Sequence, residues 1–471
     1  MIKILLTWFV LLTIILNSGK LIIHTNEVKW NISKYLIGIH FIYFRSPDSV
    51  YSNYKLAEWA KINHIKIARY PGGTVLKGWD WQHPCPTGFK SDPWNPQFIQ
   101  MNPKKCEVPG SKWMDLDEYL RFCDKANMIP LVGVNYISGI LYGLETKSVN
   151  RAVSMVKYID RKGFKGSFYY IGNEDMKLAG GLVKSAKSVR KHALAMKKID
   201  RNIKIFWNDN HINEHRIIKY LSIAGDAVDG CEFHGKWPYG GKKFRGVYSL
   251  KQWQNQNPIR IVKRGIFSEK IKKLKEVIKK HRFEKIMFAN NEYGLNPKKN
   301  IFKNFNRFTK SLVVLDYLQN LFIGGFDMSA FWKNIGTDAS LLDKRNHYRM
   351  NPMHYGFEML SKCQGAKMIT SFMDDPKLPS FVAKFNKYHF AVYVLNKHSS
   401  SQKLSIEFRD PEIKNFQKLS MTTLADTAKG HWGSKSTILI NPKVKYPIIT
   451  ELAPLTYNMI DIYLESPIGD P

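Results

Sequence analysis

Gly166-Ser167-Phe168-Tyr169-Tyr170-Ile171-Gly172-Asn173-Glu174 is the stretch that decides the fold. Its apolar and aromatic run reads as a buried strand, yet it ends on Asn-Glu. A second stretch, Ile286-Met287-Phe288-Ala289-Asn290-Asn291-Glu292, has the same form. A carboxylate at the end of a buried strand is costly to desolvate, so it serves stability poorly and chemistry well.

Outward from these two strands the same pattern repeats. Strands are expected at Leu36–Phe44, Ile65–Tyr70, Ile129–Tyr136, Phe168–Asn173, Ile203–Asn208, Val228–His234, Ile286–Asn291 and Phe326–Trp332. Amphipathic helical patterns lie between them, at Tyr54–Asn63, Leu116–Ala126, Ser148–Lys162, Leu182–Ile199, Glu214–Ala224, Ser268–His281 and Thr309–Leu321, and one more follows at Pro352–Lys362. Eightfold strand–helix alternation predicts an α/β fold, a (β/α)8 barrel over residues 33–365. A doubly wound sheet would carry a Gly-rich phosphate loop after its first strand, where this chain has His40-Phe41-Ile42-Tyr43. Beyond Lys367 the helical pattern stops. Ser380–Phe385, His389–Asn396, Gln402–Phe408, Lys418–Leu424 and Thr456–Leu464 read as short strands of a C-terminal antiparallel β-sandwich over 366–471, to which 19–32 adds an extended segment.

A barrel of this kind carries its site at the carboxyl ends of its strands. Read in order from the second strand, those ends hold Arg69, Asn135, Asn173-Glu174, Asn208-Asp209, His234, Asn291-Glu292 and Trp332. Stability alone would not gather such residues on one rim. Two carboxyl groups flanking one bond are what glycoside hydrolysis requires, one protonating the leaving oxygen and the other attacking the anomeric carbon. The expected roles are Glu174 as acid/base and Glu292 as nucleophile. Arg69, with Tyr293 or Tyr239, would keep Glu292 ionised. Asn135 and Asn173 would hold sugar hydroxyls, His234 substrate or carboxylate, and Trp332 the ring face.

Lys and Arg number 72 against 39 acidic residues, a net charge of +33. Such an excess points to a polyanionic partner, but no zinc-finger, helix-turn-helix or RNA-binding signature is present, so nucleic acid is not expected. The long segment Gly235–Gly265 interleaves Lys236, Lys242, Lys243, Arg245, Arg260, Lys263 and Arg264 with Trp237, Tyr239, Tyr248 and Trp253. Thr74–Lys112 carries Trp79, Trp81 and Trp94, and Lys344, Arg345, His347 and Arg349 follow the last barrel strand. Aromatics that stack on ring faces beside cations that bind sulfate or carboxylate suit an anionic glycan. Tyr239, Trp81, Trp237, Lys236 and Arg264 are therefore candidate substrate contacts.

Lys3 followed by the apolar run Ile4–Ile15 and by Asn17-Ser18-Gly19 has the form of a signal peptide over 1–18. The run is short for a membrane span, so an exported chain, periplasmic or secreted, is expected. Of the five cysteines, Cys85 and Cys106 flank a Pro-rich loop where a disulfide could form, with a free pair as the alternative. Cys123, Cys231 and Cys363 read as buried thiols. No spacing resembles a metal site, and no cofactor is expected.

Together, Arg69-Tyr70-Pro71-Gly72-Gly73, Gly172-Asn173-Glu174, His234 and Glu292 resemble the retaining glycoside hydrolases of clan A. There the acid/base is an Asn-Glu after the fourth strand and the nucleophile a Glu after the seventh. The Arg-x-Pro-Gly-Gly string is most similar to the family 51 arabinofuranosidases, and related barrel-plus-sandwich families include agar- and carrageenan-degrading enzymes. Asn290-Asn291-Glu292-Tyr293-Gly294 departs from the Asp-Glu-Trp usual in family 51. With the basic loops, that departure turns the expectation toward a sulfated galactan of the agar, porphyran or carrageenan type. The alternatives are an α-L-arabinofuranosidase or β-xylosidase on neutral glycans and, in another class, a non-catalytic glycan-binding protein.

Overall fold

The computed structural model describes residues 18–43, 46, 48–51, 54–82, 114–209, 213–237, 248–255, 268–281, 283, 285–295, 301–332, 334–410, 413, 415–440 and 446–467, without the side chains of 18, 48, 49, 236, 237 and 268–270. Eight parallel strands close into a barrel: β2 (Gly38–His40), β3 (Ile67–Tyr70), β4 (Ile129–Val134), β5 (Phe168–Ile171), β6 (Lys204–Asn208), β7 (Gly230–Trp237), β8 (Met287–Leu295) and β9 (Met328–Phe331). They neighbour one another in chain order, and β9 returns to β2 through Ile39 and Phe331. The strands are buried on both faces, so each sequence run is continuously apolar until its polar end.

The helices between them follow the expected amphipathic patterns. Leu116–Ala126 starts with a capping box in which Asp115 accepts from the Glu118 amide and Glu118 accepts from the Asp115 amide. The helix Arg307–Ile323 is different, being buried around most of its circumference. It lies between the barrel and the second sheet, where Phe322 stacks on Phe381 at 5.7 Å and Gln319 donates to the Pro379 carbonyl.

That second sheet has nine strands. After β10 (Ile335–Gly336), β11 (Leu342–Asp343) and β12 (Arg349–Met350), which form a small sheet of their own, come β13 (Lys367–Met373), β14 (Ser380–Lys384), β15 (His389–Asn396), β16 (Gln402–Phe408), β17 (Phe416–Ala425), β18 (Ser434–Ile440), β19 (Ile448–Leu452) and β20 (Thr456–Leu464). The order is β18-β17-β20-β15-β14-β13-β1-β16-β19, with β1 spanning Ser18–Asn31. Leu21 and Ile23 of β1 alternate into its core beside Val392, Leu404 and Ile460. One pairing departs from the expected antiparallel sheet, since β1 runs parallel to β16. Parallel neighbours need a long crossover, and here the whole barrel intervenes between them. Strands β13, β18 and β19 are also additions to the expected set. Residues of β18 are almost all exposed, so they show no alternation to read.

The leader over Ile4–Ile15 and the Cys85–Cys106 pair lie outside the described residues. Cys123, Cys231 and Cys363 are buried thiols. Among the described residues no helix is long and apolar enough to cross a membrane.

Candidate active site

Alternation along β3 sends Tyr70 outward, where it stacks on Tyr119 at 4.5 Å, and Arg69 into the barrel. Arg69 is completely buried. Its Nη2 donates to Asn173 Oδ1 at 2.8 Å and pairs with Glu232 Oε1 at 2.7 Å, while Nη1 contacts His40 Nε2 at 2.9 Å. Glu292 Oε2 lies 3.6 Å from Nη1, and the guanidinium sits 4.1 Å over the Tyr170 ring. Burial alone would lower its pKa, but Glu232, then Tyr170 and Glu292, outweigh burial and raise it. A buried cation is tolerable only with partners of this kind.

Glu232 and His234 stand two residues apart on β7 and so face the same way. His234 Nε2 lies 2.8 Å from Glu232 Oε1, and its Nδ1 lies 2.9 Å from Glu174 Oε1 and 3.6 Å from Glu292 Oε2. Nε2 also lies 3.0 Å from Asn208 Nδ2 and 3.4 Å from Arg69 Nη2; carboxylate oxygens accept, so donation to Glu174 and Glu232 together takes a proton on each nitrogen. Burial pulls the His234 pKa down, yet the Glu292 charge and the hydrogen bonds to Glu174 and Glu232 carry it up to about 9. His234 is therefore an imidazolium at neutral pH. Glu232 is held below the usual carboxylate range, burial being outweighed by Arg69 and His234.

Glu292 reaches this cluster through a bulge. Asn290 points outward to the Tyr317 hydroxyl at 2.8 Å, and Tyr293 stacks on the same Tyr317 ring at 5.7 Å. Simple alternation would turn Glu292 the same way as Asn290. The register slips between Phe233 and His234, so that Phe233 pairs with Asn290 but His234 pairs with Glu292. Bulges beside functional sites re-aim side chains in this way. Gly73 leaves the space Glu292 occupies, because a Cβ there would lie 2.9 Å from Glu292 Oε2.

Glu174 sits on a strained turn. Gly172 has φ +81°, and Glu174 itself, a residue with a Cβ, has φ +56°. The turn is braced from three sides. Asp175 Oδ2 accepts from the Asn173 amide at 3.0 Å, Tyr136 donates to Asp175 Oδ1 at 3.0 Å, and Asn208 Oδ1 accepts from the Glu174 amide at 2.7 Å. The Glu174 side chain is 39% exposed against 7% for Glu292. Both reach His234 Nδ1, so Glu174 Oε1 and Glu292 Oε2 are separated by no more than the two legs of 2.9 and 3.6 Å laid end to end. Among the described residues, the carboxyl groups of Glu174, Glu232 and Glu292 thus gather around Arg69 and His234.

The structure brings Arg69, Asn173, Glu174, His234 and Glu292 together. Asn135, Trp81 and Tyr293 make contacts of other kinds. Asn135 donates to the Trp79 carbonyl and Ser138 Oγ, which holds the loop after β4. Trp81 packs on Tyr158 at 5.1 Å and donates to the Arg151 carbonyl. Tyr293 faces the helix Arg307–Ile323, away from Glu292. Trp332 is half-buried just past β9, its amide donating to the Tyr293 carbonyl at 2.8 Å. Tyr239 and Arg264 lie outside the described residues, as do the side chains of Lys236 and Trp237. Glu232, His40 and Asp175 join the site without a role assigned by sequence, as does Asn208, which the sequence marks only as a polar strand end. Glu232 carries a readable signal, as an acid two residues before His234 on one strand face.

No protein-family model matches the chain, and no curated protein does. Solved structures do. An α-L-arabinofuranosidase of Thermotoga maritima in complex with arabinose superposes with TM-score 0.68 at 15% identity, covering 95% of this chain and 100% of that one. The family 51 arabinofuranosidase of Xanthomonas axonopodis pv. citri gives 0.69 at 13% identity, with the same coverage. A Paenibacillus polymyxa xyloglucanase of glycoside hydrolase family 44 gives 0.64 at 12% identity, covering 95% and 100%. The expected likeness to clan A barrels is met at the level of the fold.

Proposed function

We propose that this chain is a retaining glycoside hydrolase that cleaves an anionic polysaccharide outside the cell, with Glu174 as acid/base and Glu292 as nucleophile. The observation that carries the reading is the meeting of both strand-end glutamates at His234 Nδ1. Retaining enzymes hold their two carboxyl groups about 5–5.5 Å apart, inverting ones about 6.5–9.5 Å. The short path through His234 favours the first. The likeness in fold to arabinofuranosidases and a xyloglucanase supports the same class of chemistry.

In the first step Glu292 bonds to the anomeric carbon as the glycosidic C–O bond breaks. Glu174 gives its proton to the departing oxygen. His234 Nδ1 supplies that proton to Glu174 across 2.9 Å. The Glu292 charge is the strongest influence raising the His234 pKa, and that charge disappears as Glu292 becomes an ester. The imidazolium becomes more acidic at the moment Glu174 needs a proton. In the second step water attacks the anomeric carbon, its proton goes to Glu174, and Glu292 leaves as carboxylate. The proton then returns to His234. Arg69 stays charged throughout and stabilises Glu292 as leaving group.

Net charge of +33 and the basic, aromatic segments after the barrel strands support an anionic substrate, most specifically a sulfated galactan. The leader-like N-terminus supports export. A neutral α-L-arabinofuranoside is the second reading, favoured by the Arg69–Gly73 string and by the activity of two of the fold neighbours. Reducing-sugar release from porphyran, agar and carrageenans, set against arabinan and xylan, separates the two. Activity confined to the neutral polymers would overturn the anionic reading. Glu292→Gln should lower turnover by about 10⁴-fold or more while the protein still binds its glycan; activity near wild type would overturn the assignment.

A further inference from the structure

The short sheet that follows β9 carries a second chemistry. Between β11 and β12 the chain reads Lys344-Arg345-Asn346-His347-Tyr348-Arg349, without an acidic residue. Lys344, Arg345, His347, Tyr348 and Arg349 are exposed. Among the described residues Lys344 and Arg349 have no carboxylate partner, and Arg345 has a long contact to Asp343 at 3.9 Å and a charge interaction with Asp338. His347 and Tyr348 are consecutive residues in the left-handed region, at φ +50° and +56°. Neither is glycine, and two in succession is a strained backbone that its surroundings must impose.

Those surroundings are built firmly. Asp343 is completely buried and accepts from the Arg345 amide, from Asn346 Nδ2 and from Arg307 Nη1 at 2.6 Å, while its carbonyl accepts from the Tyr348 amide. Buried Asn351 donates to the carbonyls of Thr337 and Ser340. From the other domain Trp432 reaches across, with the Arg307 guanidinium 3.8 Å and the Arg349 guanidinium 4.1 Å from its ring centroid. Gly433 makes that approach possible, since a Cβ there would lie 3.0 Å from Pro352 and 3.1 Å from Phe308. Arg307 is neutralised by Asp343. Arg349 is exposed and lies over the indole face, with no carboxylate partner among the described residues, so its guanidinium is placed and open to an anion.

The strand that bears the tip is linked to the carboxylate cluster. Arg69 contacts His40, the His40 amide donates to Asn334 Oδ1 at 3.2 Å, and the Asn334 carbonyl accepts from the Leu342 amide at the start of β11. A short hydrogen-bonded path therefore joins the carboxylate cluster to the strand that bears the basic tip.

We infer that Lys344, Arg345 and Arg349, with Arg349 ordered on Trp432, form a distal subsite. It takes a sulfate or carboxylate group on a sugar away from the bond that is cut. This inference rests on the anionic-glycan reading above and adds to it a place and a composition for charge recognition. Pre-ordering the guanidinium lowers the entropy lost on binding, and a planar donor array matches a sulfate or carboxylate edge.

The test uses the full chain carrying Glu292→Gln, so that a glycan probe is not consumed. Calorimetric titrations would compare a sulfated carrageenan oligosaccharide, a neutral agarose oligosaccharide and a single-stranded DNA oligonucleotide. Adding Lys344→Gln, Arg345→Gln and Arg349→Gln together is expected to weaken the sulfated probe at least tenfold, to flatten its salt dependence, and to leave the neutral probe within twofold. Arg349→Lys alone, which keeps the charge and loses the planar stack, should weaken the sulfated probe two- to fivefold. Affinity for the sulfated probe within twofold in the triple variant would overturn the subsite, as would tight binding of DNA without binding of the sulfated glycan. Cleavage of neutral polymers alone by the wild-type chain would instead overturn the anionic reading itself. Equal affinity of the triple variant for a sulfated glycan that the wild type cleaves removes only the subsite.

Discussion

Lys397 and Asp316 meet at 2.9 Å where the second sheet packs on the barrel, and Arg69 and Glu232 meet at 2.7 Å inside it; both pairs are fully buried. The first is balanced. Asp316 takes Lys397 and the Trp253 indole N–H at 2.9 Å, and Lys397 lies 5.1 Å from the Trp253 ring centroid. Among the described residues, one acid meets one base there. The second belongs to a cluster of three carboxylates and two cations, joined by His234. There His234 is shared, touching Glu232 on one edge and Glu174 and Glu292 on the other, and the Glu174 side chain is 39% exposed. The difference teaches that a buried ion pair becomes chemistry when its members also serve carboxyl groups that a substrate can reach.

Removing one cation from each place gives the largest effects. Arg69→Met takes the buried guanidinium from Glu232 and Glu292, and Lys397→Met takes the buried ammonium from Asp316; each should cost about 3–5 kcal/mol in urea unfolding. The comparison then sharpens in the double variants. Lys397→Met with Asp316→Leu should regain most of the loss and keep normal turnover, because a balanced pair can be replaced by packing. Arg69→Met with Glu232→Leu should regain stability without regaining activity. If the second double variant turns over normally, the two places do not differ in the way argued.

Proton linkage comes next in size. The folded pKa of His234 is raised from an ordinary value of about 6.5 to about 9. A raised pKa stabilises the fold fully below the unfolded value and loses that contribution as pH climbs through the folded value. His234 should therefore contribute roughly 3 kcal/mol below about pH 6.5, fading to nothing above its folded pKa. The rate should fall on the same alkaline limb. His234→Gln should remove both dependences, measured by urea melts and by kcat across pH 6–10. Buried His192, away from the cluster, offers the control. Burial lowers its pKa to about 4, and it is held between Ser148 and the Ser188 carbonyl, so replacing it should leave the alkaline limb in place.

Gly73→Ala is the smallest of these changes and the most local. Its Cβ would crowd Glu292 Oε2, so kcat/KM should fall about 10- to 100-fold, in keeping with the cost of a small misplacement of reacting groups, with little change in melting temperature. Equal loss of stability would place the role of Gly73 in folding instead.

Much of this comparison is legible in the sequence. The eight barrel strands stand out because each is apolar until a polar end, and those ends point to Glu174, Glu292, Arg69 and His234. The bulge that turns Glu292 inward is not legible, because a one-residue slip leaves no mark in composition. Tyr293 is misplaced by the sequence pattern for the same reason, since it faces Tyr317 once the register slips. Strand β18 is hidden by its exposure, and the parallel partner of β1 by the length of chain between them. Glu232 is within reach of a period-two reading, yet a buried acid beside a candidate histidine only acquires meaning when Arg69 is seen to share it.

The most direct test of the account is the configuration of the first product. Proton NMR of the wild-type reaction, recorded before mutarotation with whichever polymer the substrate panel identifies, reads the anomer as it forms. Double displacement through Glu292 predicts that the newly freed anomeric centre first appears with the configuration of the glycosidic bond that was cut. First appearance of the opposite anomer would contradict it, and with it the roles given to Glu174 and Glu292.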